Sequence, residues 1–313
     1  MLGAIAGDVL GSVYEGRPTK RKDFRLFHPE DRPTDDSVLT LAVARAILDT
    51  AGNPTEADFA LALREFGRRY PRAGYGGNFR RWLFDEGMGP YHSWGNGSAM
   101  RASAIGWAFE SVEDVLRMAE RSALPTHNHP EGVKGAQAVA LGVLRARQGA
   151  SREEVRQELS RRFGYDLART VDDIRPGYHF DVSCQGSVPE AIIAFLDSTD
   201  VEDAIRNAVS LGGDADTQAC IAGALAEAHY DGVPESIRSW VLRRLDDAEC
   251  EILQSFTRHY MGEPGPWPAR TAAALTEPRY RVVLHGETWR RLEDYAGRLV
   301  AGRASPGGRL ERE

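Results

Sequence analysis

The sequence predicts an almost entirely α-helical protein, and three features of the chain carry that prediction. Apolar residues recur near the 3.6-residue helical period in segment after segment. Helix-start signals stand in front of several of these segments: Thr55 with Asp58, Ser111 with Asp114, Ser151 with Glu154, and Pro130 as a first helical residue. The strand–helix alternation that builds a parallel sheet is missing and no internal repeat is present, which disfavours a Rossmann-type fold.

Taken in order, Leu2, Ile5, Ala6, Val9, Leu10 and Val13 mark a first helix over residues 1–13. Gly3, Gly7 and Gly11 recur along it every four residues. Each glycine inside a helix costs up to about 1 kcal/mol, so the stripe predicts close packing against another element. Glu15 stands where this segment ends, and the basic, proline-containing stretch 17–33 reads as loop. A second helix (Val38, Leu41, Ala42, Ala46) starts behind Thr34-Asp35-Asp36-Ser37, and a third covers Thr55–Arg69. Residues 71–101 form a glycine- and aromatic-rich loop region, interrupted by a candidate element at Asn78–Phe84 and closing on Gly95-Asn96-Gly97-Ser98-Ala99-Met100-Arg101.

Helices are then expected over 111–122, 130–147 and 151–163, a loop over 172–183, and helices over 188–197, 201–211, 217–230, 235–245 and 249–260. Beyond the prolines of Gly262–Pro268, residues 280–284 alternate like a short strand and 288–300 like a helix. The Gly/Arg/Glu-rich tail from Ala304 reads as disordered.

Of 313 residues, 42% are hydrophobic and 27% charged, an ordinary globular balance. The formal charge of −7 argues against broad electrostatic binding to nucleic acid or anionic membrane. Cys184, Cys220 and Cys250 are too few and too scattered for a disulfide framework or a zinc cluster, and a reducing compartment fits. With no basic leader and no apolar run of membrane-spanning length, the expectation is a soluble cytoplasmic protein.

Two acidic clusters carry the chemistry. Gly212-Gly213-Asp214-Ala215-Asp216-Thr217 puts two carboxylates and a hydroxyl at the start of an apolar helix, and Thr34-Asp35-Asp36-Ser37 does the same far upstream. A helix cap after a glycine turn accounts for one such cluster. Two of them, each richer in oxygen ligands than a cap requires, suggest one shared site for a hard cation such as Mg²⁺, Mn²⁺ or Ca²⁺. The Gly95–Met100 turn is either a plain turn or a source of free backbone N–H groups for a phosphate. In Thr126-His127-Asn128-His129-Pro130, His127 is read as a substrate contact or a capping residue rather than a metal ligand.

The ordered motifs Gly3-Ala4-Ile5-Ala6-Gly7-Asp8, Thr34-Asp35-Asp36-Ser37, Gly95–Arg101, Thr126–Pro130, Ser187-Val188-Pro189-Glu190-Ala191 and Gly212–Thr217 resemble those of the ADP-ribosylglycohydrolase family over roughly residues 1–260. That resemblance implies an all-α orthogonal helical bundle over 1–262, followed by an extension, 263–313, to which it assigns no role. It also implies a centre of two Mg²⁺ (or Mn²⁺) ions held by Thr34, Asp35 and Asp36 on one side and Asp214, Asp216 and Thr217 on the other. Gly95, Asn96, Gly97, Ser98, Ala99, Met100, His127 and Gly213 would contact the substrate.

The implied substrate is an ADP-ribosylated protein or another ADP-ribose conjugate, cleaved at ribose C1″ to release ADP-ribose. Two divalent ions would balance four carboxylates and activate a water, and negative charge would favour the oxocarbenium-like transition state. Asp35 and Asp36 would serve catalysis through the metals. From position alone Glu15 reads as a surface glutamate at a helix end. In a subset of the family, however, a mobile glutamate here acts as general base, whereas other relatives use an aspartate in the loop that here carries Asn96. A non-catalytic ADP-ribose-binding module and a nucleotide pyrophosphatase, which would yield AMP, are the competing readings; the Gly-x₅-Glu-x₇-Arg-Glu box of such pyrophosphatases is missing.

Overall fold

The computed structural model describes residues 1–262, so the elements expected over 280–284 and 288–300 and the tail from Ala304 lie outside the described residues. Within them every regular element is a helix, and a single antiparallel bridge joins Gly95 to Ser183. The chain runs α1 (Leu2–Glu15), α2 (Asp35–Asp49), α3 (Glu56–Arg69), α4 (Gly77–Phe84), α5 (Ser103–Ala108), α6 (Val112–Ala123) and α7 (Pro130–Arg147). It continues through α8 (Arg152–Phe163), α9 (Val171–Ile174), α10 (Cys184–Leu196), α11 (Val201–Val209), α12 (Ala215–His229), α13 (Glu235–Leu242) and α14 (Asp247–Tyr260).

The local signals act as expected at several starts. Thr55 and Asp58 form a reciprocal capping box on α3, as do Ser151 and Glu154 on α8. Pro130 opens α7, where its missing N–H costs nothing. Elsewhere the structure departs from the sequence reading. The stretch read as loop over 172–183 begins with one helical turn, α9, capped by Thr170. The helix expected from 188 starts a turn earlier, because the Ser183 hydroxyl caps the N–H of Gly186 at 3.0 Å and leaves Pro189 inside α10. Short α5 was not expected, since a six-residue element is too brief to show a period.

The glycine stripe explains the centre of the bundle. Gly3 faces Gly223, Gly7 faces Ala219 and Gly11 faces Ala215, so α1 and α12 run antiparallel with their backbones nearly touching. A Cβ at Gly7 would fall 1.9 Å from the Ala219 carbonyl oxygen. Both partners there are helix backbone, which has no rotamer to escape into. Gly7→Ala is therefore expected to cost at least about 1–3 kcal/mol, the usual penalty for overpacking, and more if the helices must separate. A denaturant midpoint within error of wild type would contradict this packing account.

α12 also packs on α11, α10 and α7, and α2 packs on α3 and α14. Every residue of α12 from Ala215 to Ala228 is buried, which makes it the central helix of the bundle. None of the described helices is long and apolar enough to cross a membrane.

Candidate active site

The close approach of α1 to α12 has a chemical consequence: it brings Asp8, on α1, and Glu15, at its C-terminal end, beside the start of α12. The N-terminus of α2 is folded onto the same place. Asp8 accepts hydrogen bonds from the Thr34 N–H (2.9 Å), the Thr34 hydroxyl (2.6 Å), the Ser37 N–H (3.0 Å) and the Ser37 hydroxyl. One buried carboxylate thus ties the first turn of α2 to α1 and fixes the direction in which Asp35 and Asp36 leave the backbone.

At α12 the turn is made by Gly212, whose φ of +66° suits glycine. Lys20 donates to the Tyr178 carbonyl at 2.6 Å and to the Leu211 carbonyl, clamping the loop that follows Glu15 onto this turn.

The carboxylates then meet in two overlapping groups. Ligand oxygens of Asp8, Asp36 and Asp216 lie within 4.8 Å of one another, and so do those of Glu15, Asp214 and Asp216. Asp36 and Asp216 are 2% and 4% exposed, whereas Glu15 is exposed to the cleft. Asp35 faces the same cleft but belongs to neither tight group. The threonines complete the oxygen set: Thr217 donates to Asp36 Oδ2 at 3.2 Å, and Thr34 Oγ1 lies 3.4 Å from the same atom.

Thr34 does cap α2, its hydroxyl oxygen accepting from the Asp36 N–H, but the cluster at α12 is not doing the work of a helix cap. Asp214 occupies the cap position of α12 yet its side chain makes no capping hydrogen bond; it accepts instead from the Asn96 amide at 2.7 Å. Burial, followed by the charges of Asp8, Asp35 and Asp214, pushes Asp36 well above the usual carboxylate range. Burial and then Asp36 and Asp214 do the same to Asp216, and burial and then Asp8 raise Asp35 to about 8. Glu15 is raised by partial burial and then by Asp214. An all-oxygen donor set with this much opposed charge fits a hard divalent cation. Asp36 Oδ1, buried and without a protein hydrogen-bond partner among the described residues, is the atom that such an ion would satisfy.

A cleft of about 520 Å³ opens above this floor, a volume typical of small-ligand sites. Glu15, Asp35, Asp214, Asp216 and Thr217 line its base, and Gly95, Asn96, Gly97, Met100 and His127 one wall.

Other expected contacts are placed differently. Ser98 and Ala99 are fully buried behind the wall, Ser98 donating to the Gly132 carbonyl at 2.7 Å. Gly213 is buried under the Tyr178 ring, where a Cβ would sit 2.4 Å from Cε1; its missing side chain makes room for the protein rather than for a ligand. The Gly95–Met100 turn is also not a row of free donors. The Asn96 N–H binds the Val182 carbonyl, and those of Ala99 and Met100 both bind the Asn96 carbonyl. His129, not His127, caps α7 through its Nδ1.

Sequence reasoning gave no role to Asp8. Asp8 closes the family-like run Gly3–Asp8, but that resemblance implied no role for it, and as a lone aspartate in an apolar helix, between Gly7 and Gly11, it has no neighbouring oxygen ligands to mark it as part of an acidic cluster.

Known proteins place the chain in a family. The sequence pattern of the ADP-ribosylglycohydrolase family matches residues 1–266. ADP-ribosylhydrolase ARH3 of Homo sapiens is 30% identical over 75% of this chain and 86% of the relative, and ARH3 of Gallus gallus is 28% identical over 81% and 88%. A solved structure described as an ADP-ribosylglycohydrolase-related protein complex superposes with a TM-score of 0.62 at 27% identity, covering 84% of this chain and 96% of that one. The chain therefore belongs to the ADP-ribosylglycohydrolase family of hydrolases.

Proposed function

We propose that this protein is a metal-dependent hydrolase that breaks the glycosidic bond at ribose C1″ of ADP-ribosylated proteins or other ADP-ribose conjugates and releases ADP-ribose. The observation that carries the proposal is the pair of oxygen-ligand groups sharing Asp216 at the floor of the cleft. Bound there by Asp36, Asp214, Asp216, Thr217 and Thr34, with Asp35 from the cleft side, two Mg²⁺ or Mn²⁺ ions would neutralise the carboxylates and supply Lewis acidity.

The chain's own residues do the rest. Asp8 holds the α2 ligands in direction, and Asn96 holds Asp214. Glu15, exposed and raised above the ordinary glutamate range, is placed to take a proton from the attacking water. The carboxylates around it favour the positive charge that develops at C1″. Gly95, Gly97, Met100 and His127 form the wall against which the nucleotide lies.

Cation binding to the native state stabilises it by RT ln(1 + [L]/Kd), about 2.7 kcal/mol at one hundred times Kd. Without cations, Asp35 is protonated up to about pH 8 in the folded protein but only to about pH 4 when unfolded. Its contribution to stability is therefore complete below about pH 4 and is lost as pH rises through about 8. The rise in melting temperature caused by millimolar Mg²⁺ or Mn²⁺ is thus expected to be larger at pH 8 than at pH 5. No shift at either pH, or the larger one at pH 5, would remove the metal assignment.

A further inference from the structure

His127 stands on the cleft wall, and what it offers a ligand depends on which of its two ring nitrogens carries the proton. Its Nδ1 lies 2.7 Å from the Thr126 hydroxyl. Its Nε2 makes no hydrogen bond to any described residue and reaches the Gly95–Gly97 turn, 3.2 Å from where a Cβ on Gly97 would stand. The answer is set one residue further back. Arg101 is fully buried behind the wall, and its Nη2 donates to the Thr126 hydroxyl oxygen at 2.9 Å and to the Ser122 carbonyl at 2.9 Å. A guanidinium has donors only, so Thr126 Oγ1 must accept from it.

Thr126 is itself fully buried, and the acceptor within reach of its hydroxyl proton among the described residues is His127 Nδ1. Were Nδ1 to carry the proton instead, Thr126 would accept twice and its own O–H would be left without a partner. Leaving a buried donor unmet shifts an equilibrium by about tenfold or more. Burial, and after it the Arg101 cation, also holds the ring well below the usual histidine range and so keeps it neutral.

We propose that Arg101 and Thr126 are positioning residues that lock His127 as the Nε2–H tautomer, so that it presents the cleft with one hydrogen-bond donor and no base. The donor is aimed where the Gly95–Met100 turn has already committed several of its own N–H groups. Resting on the ADP-ribose reading of the cleft, the acceptor is a phosphoryl oxygen of the pyrophosphate, which is never protonated at neutral pH and suits a permanent donor.

The test uses the full chain labelled with ¹⁵N at histidine, with the His127 signals assigned by their loss in His127→Gln. The expected spectrum of the ligand-free protein has a protonated Nε2 and a bare, hydrogen-bonded Nδ1. Thr126→Val, which keeps the shape and removes the hydroxyl, is expected to give a mixed or inverted tautomer and about tenfold weaker ADP-ribose binding, and Thr126→Ser to restore both. A protonated Nδ1 in the wild type would overturn the proposal, as would a Thr126→Val protein with unchanged spectrum and affinity. Should Thr126→Val fail to fold, the wild-type spectrum decides alone. If ADP-ribose does not bind the wild type, the reading of the cleft fails while the spectrum still decides the tautomer.

Discussion

Asp216→Ala is expected to lower turnover by more than about 100-fold while leaving the protein folded. Asp216 is the one residue common to both oxygen-ligand groups, so its removal takes a ligand from each half of the site. Even outer-shell partners of metal ligands cost about 10–100-fold when lost, and a shared ligand costs more. The fold should survive because burial, and after it the charges of Asp36, Asp214, Asp8 and Glu15, already push the protonation of Asp216 upward. Deleting one carboxylate from a mutually repelling set relieves the cation-free protein.

Asp58→Ala is the matching control. Asp58 accepts from the Thr55 N–H at 2.8 Å in an exposed capping box, far from the cleft. Its loss should cost about 1 kcal/mol of stability and leave turnover unchanged. Steady-state kinetics and denaturant titration of both variants separate the two roles. Near-normal turnover in Asp216→Ala would end the two-cation account.

The second large effect belongs to Glu15→Gln, expected to lower kcat by about 10²–10⁴, the contribution of a positioned general base. Glutamine keeps the shape and the hydrogen-bonding reach but cannot accept the proton. Here the Asn96 amide is committed to holding Asp214 and Ser187. Glu15 is thus the carboxylate at the cleft base that is both exposed to solvent and within 4.8 Å of Asp214 and Asp216. ADP-ribose affinity should change little, since it does not depend on a proton leaving, and kcat measured at saturating cation separates the proton role of Glu15 from its membership of the oxygen-ligand group. Wild-type kcat in Glu15→Gln would return this residue to the surface role that its position at a helix end first suggests.

What was legible in the sequence was what is local. The capping boxes of α3 and α8 and the proline start of α7 act within four residues of themselves, and the helices they begin appear where the periodicity puts them. Both acidic clusters were visible because each packs its carboxylates and hydroxyl into four consecutive residues. The glycine stripe of α1 announced a close contact but not its partner, since nothing in residues 3–11 names α12.

What stayed hidden was what depends on long-range closure. Asp8 acquires its role only when Thr34 and Ser37, 26 and 29 residues away, are folded onto it. Gly213 looked like a place for a ligand to come near, and the space is taken by Tyr178 from the loop before α10. The N–H groups of Asn96, Ala99 and Met100 in the Gly95–Met100 turn are taken up by Val182 and by the Asn96 carbonyl, which no reading of the Gly95-Asn96-Gly97-Ser98 run reveals.

The most direct measurement of the whole account is product analysis on a panel of ADP-ribose conjugates linked through arginine, serine, an acetyl ester or a nucleic-acid base. Each is incubated with the intact chain in Mg²⁺, in Mn²⁺ and in chelator, and the nucleotide released is identified by mass. Free ADP-ribose is expected from at least one conjugate, its release abolished by chelator and restored by added cation. AMP as the product, or ADP-ribose release that continues undiminished in chelator, would contradict it.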